Sequence, residues 1–323
     1  MNGEAKIYSE TKREEEFYIE EASLANVSEI KRLMTQQAEH HGYVYKGNTA
    51  VILYSLAGKN PVTRSFLVYK PGETKAICCA MYSLIWTAEG KKVYLEDICV
   101  DSSYRSGGVG KFAVDEVCRR ALEMGADALH GAVANNNTNT MVFWLKGSGK
   151  PLGKRTYGLT NLFSNSSAID GPYAFKAEEI TSPESPAVPA ELQEAAPDPH
   201  TGVIVVYDES SNQPVAMTLA NAKFTAGSSK APGIAMEPVK FLKPLSDEDK
   251  KDVLKAAFSR AIYYAKQKGY ADHFYALADK RCPISNAFIK QIGTGERQES
   301  SDPDSVLVCM QLPIAARKPN PSG

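Results

Sequence analysis

The chain has 323 residues, of which 43% are hydrophobic and 23% are charged. These values are typical of a globular protein and exclude a fully disordered or fibrous one. The 37 basic and 38 acidic residues give a formal net charge of −1, so no overall electrostatic field attracts nucleic acid or an anionic membrane. At roughly 100–200 residues per domain, the length favours two domains.

The longest apolar runs, such as residues 203–207, are much shorter than the ~20 residues of a membrane-spanning helix. Residues 1–16 are charged and lack the apolar region of a secretory signal, so we expect a soluble, cytoplasmic protein with a loose N-terminal tail. The six cysteines form no Cys-x-x-Cys pair, and the five histidines have no metal-ligand spacing with them. Reduced thiols and no metal site are therefore expected.

Strand patterns dominate the beginning of the chain. Hydrophobic alternation and turn residues predict strands at residues 17–20, 65–69, 76–86 and 92–100, with a helix starting near Ser23 or Asn26 after the first of them. Pro-Gly and Glu-Gly turns separate the last three strands, which predicts an antiparallel meander.

A glycine loop and a helix follow residue 100. Apolar residues recur every three or four positions from Val109 to Met124, and Gly125 ends the helix. A buried strand is predicted at residues 128–134 and a short helix at residues 138–146. Because a strand–loop–helix–strand unit needs a crossover connection, two of these strands are expected to be parallel neighbours.

The second half repeats patterns of the first. Residues 181–201 contain five prolines and no sustained period, which is typical of a linker. Beyond them, strands are predicted at residues 202–207, 214–224 and 273–278 and a helix at residues 246–269. The order resembles that of the first half, so we infer an internal duplication, with two unrelated α/β domains as the alternative.

The strongest local signal lies between Tyr94 and Gly110, where Tyr-Leu-Glu-Asp-Ile-Cys-Val is followed by the loop Arg-Ser-Gly-Gly-Val-Gly. A glycine-rich turn between a strand and a helix leaves backbone N–H groups at the positive end of the helix dipole, where a pyrophosphate binds. The loop lacks the lysine and hydroxyl ending of a Walker A sequence, and the chain start lacks the alternation of a dinucleotide-binding fold. Nucleotide hydrolysis and hydride transfer are therefore disfavoured.

Residues 105–110 match the [Gln/Arg]-x-x-Gly-x-[Gly/Ala] acetyl-CoA loop of the GCN5-related N-acetyltransferase (GNAT) family. The Tyr-Leu-Glu-Asp segment, followed by Asp101-x-x-Tyr104-Arg105, resembles the diamine and thialysine acetyltransferase branch of that family. The resemblance implies an α+β protein with a tandem GNAT fold, in which a mixed, mostly antiparallel sheet is flanked by helices in each half.

The resemblance implies a division of the chain into five segments. These are a flexible tail at residues 1–16, an acetyl-CoA-binding GNAT domain at 17–180, a linker at 181–201, a degenerate GNAT-like domain at 202–316 and a tail at 317–323. In the second half, Ser246 is followed by three carboxylates where a pyrophosphate would bind. Like charges argue against a second cofactor site there, and Ser246 with Asp249 forms a helix-capping pattern instead.

Acetyl-CoA is the acyl donor that the resemblance implies. Backbone groups of Ile98 and Val100 would pair with its pantetheine arm, and the loop would hold its pyrophosphate. The implied cofactor-binding residues are Ile98, Cys99, Val100, Arg105, Ser106, Gly107, Gly108, Val109, Gly110, Lys111 and Asn137. Packing is the simpler role for Cys99, and capping of the following helix is the simpler role for Asn137.

Glu96 matches the family carboxylate that acts as general base, and Asp97 matches a residue that faces the amine. Glu89 and Trp86 complete the expected substrate-binding set. An alkylammonium must lose a proton before its nitrogen attacks a thioester, and a carboxylate accepts it. A structural carboxylate is the alternative role for Glu96.

The family places a tyrosine that protonates the leaving thiolate seven residues after an asparagine. Counting from Asn137 leads to Trp144, whose indole N–H donates a hydrogen bond but lacks the acidity of a phenol. Trp144 would therefore contact the sulfur without protonating it. Alternatively, Tyr157 or Tyr173 acts instead, or turnover is lost.

We therefore expect an N-acetyltransferase that acts on a primary amine of a small diamine or lysine-like compound, by direct attack in a ternary complex. The alternatives are an acetyl-CoA sensor or scaffold with weak or no turnover, and a protein lysine acetyltransferase. A small amine is the expected partner, without nucleic acid or membrane. The duplication favours a monomeric pseudo-dimer, with a homodimer as the alternative.

Overall fold

The computed structural model describes residues 16–40, 42, 44–45, 47, 49–56, 61–134, 137–146, 149–160, 174–182, 184–224, 233–270, 273–279, 281–292 and 307–313. The α-helices within these ranges are α1 (Val27–His40), α2 (Thr49–Leu56), α3 (Val109–Glu123), α4 (Thr138–Lys146), α5 (Asp247–Gln267) and α6 (Pro283–Ile292). The predicted helices of the first half, near Asn26, after the glycine loop and at residues 138–146, correspond to α1, α3 and α4.

The strands of the first half are β1 (Tyr18–Glu21), β2 (Arg64–Tyr69), β3 (Cys78–Thr87), β4 (Gly90–Val100), β5 (Ala128–Ala134) and β6 (Lys150–Thr160). The remaining strands are β7 (Phe175–Ile180), β8 (Thr201–Asp208), β9 (Gln213–Lys223), β10 (Gly233–Met236), β11 (Lys240–Phe241), β12 (His273–Asp279) and β13 (Leu307–Pro313). Every strand that the sequence predicts is present, with ends that differ by a few residues.

One continuous sheet contains these strands, in the order β1-β2-β3-β4-β5-β13-β6-β12-β10-β9-β8-β7, with β11 beside β9. Strands β1 to β4 form the predicted antiparallel meander, and β4 and β5 are parallel. The second half repeats this plan, because β7 to β10 are antiparallel neighbours and β10 is parallel to β12. The duplicated, mixed and mostly antiparallel architecture is confirmed.

The two halves exchange their last strands. Strand β6 follows α4 in the first half but pairs antiparallel with β12 of the second half. Strand β13 follows α6 in the second half but pairs antiparallel with β5 of the first half. These two strands also pair with each other at the centre of the sheet. Each half therefore completes the sheet of the other, and the domain boundaries given above remain a prediction.

Helices cover both faces of the sheet. Helix α3 packs on β3, β4 and β5 around Val93, Leu95 and Leu129, and α1 packs on the opposite face around Met81 and Cys99. Helix α5 covers the strands of the second half in the same way as α3 covers those of the first. No helix in the described ranges is long and apolar enough to cross a membrane.

The proline-rich segment after β7 packs onto the sheet although its composition is typical of a linker. It contains a short 3₁₀ helix at Ala190–Leu192. Val188, Leu192 and Ala195 are buried in a cluster that also contains Trp86 and residues of β8 and β9. This segment thus contributes apolar contacts between the two halves.

Candidate active site

Strands β4 and β5 separate in the middle of the sheet. Their parallel pairing covers Val93 to Leu95 on β4 and Leu129 to Gly131 on β5. Beyond these residues β4 continues to Val100 without pairing with β5, whose other edge pairs with β13 along its whole length. The backbone of β4 after Leu95 therefore borders an opening, where its N–H and C=O groups are available to an extended ligand.

A β-bulge places Glu96 at the start of this opening. Met81 pairs with Asp97 and Tyr82 pairs with Leu95, so Glu96 is the additional residue. A bulge changes the direction in which the side chains of a strand point. Leu95 packs in the core beneath α3, whereas Glu96 lines a cavity on the other side of the sheet.

The Glu96 carboxylate is enclosed by polar partners. Its side chain is only 3% exposed, and the Lys223 ammonium lies 3.7 Å from its Oε2. The Ser83 hydroxyl donates a hydrogen bond of 2.7 Å to its Oε1, and Thr63 Oγ1 lies 3.2 Å from Ser83 Oγ. The carboxylate thus has a hydrogen-bond donor at one oxygen and a cation beside the other.

Both halves of the chain line the cavity. The lining residues are Ile85, Tyr94, Glu96, His130, Gly131 and Leu152 from the first half, and Asn221, Lys223, Ala235, Glu237, Tyr275 and Leu277 from the second. The site that the sequence predicts contained only residues of the first half. Ser83 and Lys223 were missed, although each is a polar residue within or at the end of an apolar strand, which is a signal for a buried polar role.

The strand registers relate the two halves at this cavity. Ala235 and Met236 of β10 pair with β12 in the same parallel arrangement as Tyr94 and Leu95 pair with β5. The next residue is Glu96 in the first half and Glu237 in the second. The cavity therefore lies where corresponding positions of the two halves face each other.

The glycine loop connects β4 to α3 through a 3₁₀ turn at Ser102–Tyr104. Ser106 and Gly108 have positive φ angles of 66° and 86°, a conformation that glycine adopts at no steric cost. A Cβ atom on Gly107 would lie 3.2 Å from the Tyr104 carbonyl oxygen. The backbone of this exposed loop thus turns tightly enough to surround an anion.

Helix α3 begins directly after the loop, at Val109. Its N-cap is Gly108, no side chain caps it, and its first turn has no acidic residue. The first N–H groups of an α-helix have no acceptor within the helix, and the helix dipole makes this end positive. The loop and the helix start therefore fit the pyrophosphate of acetyl-CoA. By contrast, Ser246 caps α5 by accepting from the Asp249 amide at 3.1 Å, as the sequence predicts.

Arg32 on α1 supports the start of the loop, a contact that the sequence did not indicate. Its guanidinium donates to Asp101 Oδ2 at 2.8 Å and to the Ala76 carbonyl, and Asp101 in turn accepts from the Ser103 amide. Partial burial acts to raise the pKa of Asp101, but the Ser103 amide and Arg32 outweigh it and hold this pKa below its ordinary value.

Several implied cofactor-binding groups have protein partners in this structure. The Ile98 amide donates to Asp97 Oδ1 at 2.8 Å, and the Val100 carbonyl accepts from Arg105 Nε at 3.2 Å. Lys111 forms an ion pair with Asp115 on the surface of α3. An extended ligand along β4 would replace the first two contacts, since both lie at the edge of the opening.

Cys99 and Asn137 have the structural roles that the residue types favour. Cys99 is fully buried, and a hydrogen bond with Cys79 together with burial raises the pKa of its thiol well above the ordinary value, so it is not a reactive thiolate. Asn137 Oδ1 accepts from the Thr140 amide at 3.1 Å and thereby caps α4.

Trp144 lies on α4 with its indole against Gly131, beside the opening, and is 5% exposed. This position is adjacent to Leu95, where the strands separate. The other candidates for protonation of the thiolate are not placed: the side chain of Tyr157 and the whole of Tyr173 lie outside the described residues.

None of the three predicted substrate-binding residues is among those that line the cavity. Trp86 is 3% exposed; its indole donates to Asp198 at 3.2 Å and its amide donates to the Asn221 side chain at 2.9 Å. Glu89 is exposed at the turn between β3 and β4. Asp97 neighbours Glu96 on β4, where its Oδ1 accepts from the Ile98 amide. The structure thus brings Glu96 to the cavity and positions Trp86 between the halves.

Residues 27–149 match the acetyltransferase (GNAT) family. Two curated relatives are each described as thialysine N-epsilon-acetyltransferase. The one from Bos taurus is 36% identical over 75 residues, which are 22% of this chain and 44% of that protein. The one from Sus scrofa is 28% identical over 128 residues, which are 37% of this chain and 75% of that protein. The chain thus spans less than half of the Bos taurus relative.

Two solved structures resemble nearly the whole chain. A tandem GNAT protein from the clavulanic acid biosynthesis pathway, solved without acetyl-CoA, has a TM-score of 0.54 at 12% identity, over 93% of this chain and 99% of that one. A GCN5-related N-acetyltransferase from Sphaerobacter thermophilus has a TM-score of 0.51 at 15% identity, over 92% and 96%. At such identities the likeness concerns the fold alone. Residues 27–149 therefore match the acetyltransferase (GNAT) family, and the chain as a whole has the fold of tandem GNAT proteins.

Proposed function

We propose that this protein transfers an acetyl group from acetyl-CoA to a primary amine of a small diamine or lysine-like compound, by direct attack in a ternary complex. The observation that carries the proposal is the position of Glu96. Its carboxylate is buried, receives a hydrogen bond from Ser83, and lies where β4 and β5 separate. The acceptor class is supported by the two curated relatives, which are thialysine acetyltransferases.

Each part of the site has a distinct role in this mechanism. Acetyl-CoA supplies the thioester that is to be attacked. The loop amides and the start of α3 would bind its pyrophosphate, and the part of β4 that does not pair with β5 would hold the extended arm beside Glu96. Glu96 accepts a proton from the acceptor ammonium, and the neutral nitrogen then attacks. Holding both reactants in one cavity removes much of the entropic cost of their encounter.

The cavity also supports a small acceptor over a protein lysine. It lies between the two halves and is lined by residues from both, so an acceptor must fit within it. We further propose that one chain is a complete pseudo-dimer that needs no second copy, since β6 and β13 already fill the edges at which two separate domains would join.

A second candidate function is that of an acetyl-CoA sensor or scaffold with weak or no turnover. It is favoured by Trp144, because an indole does not protonate a thiolate. A CoA thiolate is nevertheless an acceptable leaving group at neutral pH, since thiols ionise near pH 8.5. The tryptophan therefore predicts slower turnover in the first candidate and none in the second.

Release of CoA from acetyl-CoA separates the two candidates. The thiol is measured with a chromogenic disulfide while a panel of amines is added, comprising alkyl diamines, spermidine, lysine and thialysine. Release that saturates with one amine supports the transferase. Tight binding of acetyl-CoA in calorimetry, with no release for any amine, supports the sensor. Absence of binding would contradict both.

A further inference from the structure

Lys223 places an ammonium group at the carboxylate that the proposed reaction uses as its base. This residue ends β9 in the second half, and its Nζ lies 3.7 Å from Glu96 Oε2 in the first half. The Lys223 side chain is 12% exposed. An internal amine thus occupies the position in which an acceptor amine would transfer its proton.

Two tyrosines complete the surroundings of this ammonium. Lys223 Nζ lies 4.3 Å from the centroid of the Tyr94 ring and 4.5 Å from that of the Tyr275 ring. Cation–π contacts of this kind stabilise a partly desolvated ammonium. The site therefore binds the head group of a lysine between two aromatic rings and a carboxylate, with one ring from each half of the chain.

Lys223 differs from the residue at the equivalent position of the first half. In the antiparallel pairing of β9 with β10, Lys223 is opposite Gly233, two positions beyond the pair of Asn221 and Ala235. The corresponding position in the first half is that of Ile85, two beyond the pair of Ser83 and Tyr94. An apolar residue thus lies where the second half has an amine. The arrangement of a lysine with two aromatic rings and a carboxylate therefore depends on Lys223 and has no counterpart at Ile85.

We propose that Lys223 is an internal acetyl acceptor, so that the protein acetylates its own Lys223. This inference rests on the proposed function, because it uses the same acetyl-CoA and the same base. The Lys223 ammonium loses a proton to Glu96, and its nitrogen forms a bond to the acetyl carbon. The bond from that carbon to sulfur breaks and CoA leaves as a thiolate, while the nitrogen gives up its second proton, which reaches the thiolate through water.

Acetylation would change the electrostatics of the cavity. An acetyl-lysine is neutral, so the ion pair with Glu96 is lost and the carboxylate becomes available to an external amine. Before this step, an external amine competes with Lys223 for Glu96. The second half thereby contributes an acceptor to the site, although the start of α5 carries Asp247, Glu248 and Asp249 in place of a phosphate-binding loop.

Mass spectrometry of the full chain tests the proposal. The protein is incubated with deuterated acetyl-CoA and no amine, and lysine peptides are mapped over time. We expect one label, on Lys223, at a rate that falls roughly 10²-fold in Glu96→Gln. That variant must keep its affinity for acetyl-CoA in calorimetry, which shows that it is folded. Undeuterated acetyl on Lys223 before incubation supports the proposal if the Glu96→Gln protein lacks it.

Lys91 is the matched control. It also lies over an aromatic ring, that of Trp86 at 5.0 Å, and pairs with a carboxylate, that of Glu194, but it does not line the cavity. Lys91→Arg should leave labelling of Lys223 unchanged, whereas Lys223→Arg should remove the label. Equal labelling of Lys91 and Lys223, or labelling that persists in Glu96→Gln, shows chemical acetylation and overturns the proposal.

The outcome also distinguishes this proposal from the proposed function. If an external amine is acetylated while Lys223 stays unlabelled, self-acetylation is wrong and the transferase assignment stands. If acetyl-CoA binds and Lys223 is labelled through Glu96 while no external amine reacts, the internal acceptor is supported and the small-amine substrate is wrong. If acetyl-CoA does not bind, both are wrong.

Discussion

The indole of Trp144 rests on the backbone of Gly131, so closely that a Cβ atom at Gly131 would lie 2.6 Å from Trp144 Cζ2. Gly131 is the last residue of β5 that pairs with β4, opposite Leu95. The absence of a side chain at this position therefore allows a large ring to pack beside the opening of the sheet. Trp144, which the sequence predicts at the position of the family tyrosine, is thus held by a contact with the strand.

The contact predicts a specific coupling between the two residues. Gly131→Ala should lower the free energy of unfolding by about 1–3 kcal/mol, because the ring must move. Trp144→Leu removes the obstructing ring, so the alanine should cost much less in the double variant. Denaturant unfolding of the wild type, both single variants and the double variant measures this coupling. Additive losses would show that the ring and the glycine do not constrain each other.

The glycine loop predicts a charge-dependent loss of cofactor affinity. Gly110→Glu adds a carboxylate at the start of α3, where an anion is expected to bind, and should weaken acetyl-CoA binding by at least about tenfold. Gly110→Ala is the matched control, because its Cβ would make an ordinary contact of 3.6 Å with Val100. Calorimetry with acetyl-CoA compares the two. Equal affinities would remove the pyrophosphate site from this loop.

General-base catalysis predicts a large effect at Glu96. Glu96→Gln keeps the shape of the side chain and its contact with Ser83 but removes the proton acceptor, so turnover at neutral pH should fall roughly 10²–10⁴-fold. Glu178→Gln alters a strand glutamate that pairs with Lys176 on the surface and should leave turnover unchanged. Steady-state CoA release measures both. A loss of less than about threefold in Glu96→Gln would indicate a structural role.

Asp101 predicts a dependence of stability on pH. Its folded pKa lies below the ordinary 3.8, so its contribution is complete above pH 3.8 and is lost as the pH falls through the folded value. Asp101→Asn should therefore be less stable by about 1 kcal/mol at pH 7, with a difference that disappears in acid. Thermal unfolding from pH 7 to pH 2 tests this. Asp115→Asn, which alters a surface pair with Lys111, should show little change at any pH.

The strand exchange predicts one acetyl-CoA per chain and interdependent halves. The first turn of α5 has three acidic residues and that of α3 has none, so titration should saturate at one ligand. A chain that ends at Ser182 lacks β13 and β12, which exposes the edges of β5 and β6. It should therefore aggregate or dimerise in size-exclusion chromatography. Two ligands per chain, or a stable, active, monomeric truncation, would contradict this picture.

Local features of the chain followed from its sequence. The meander, the helix after the glycine loop, the cap at Ser246 and the parallel pair β4 and β5 all depend on side-chain period, turn residues and capping within a few positions. Several elements were not predicted, namely helices α2 and α6 and strands β6, β7, β10, β11 and β13. Helix α2 is nearly all apolar and therefore shows no polar face, and β10 has only four residues, too few for a clear alternation.

The composition of the cavity was decided by tertiary structure. Sequence indicated Glu96 through its motif, but Lys223, Tyr275 and Arg32 reach the site or its support from distant segments. The pairing of β6 with β12 and of β13 with β5 was equally inaccessible, because a strand carries its own period but no local mark of the strand beside which it lies. Which strands become neighbours depends on the arrangement that buries the apolar surface of the whole sheet. No single segment of the sequence contains that information.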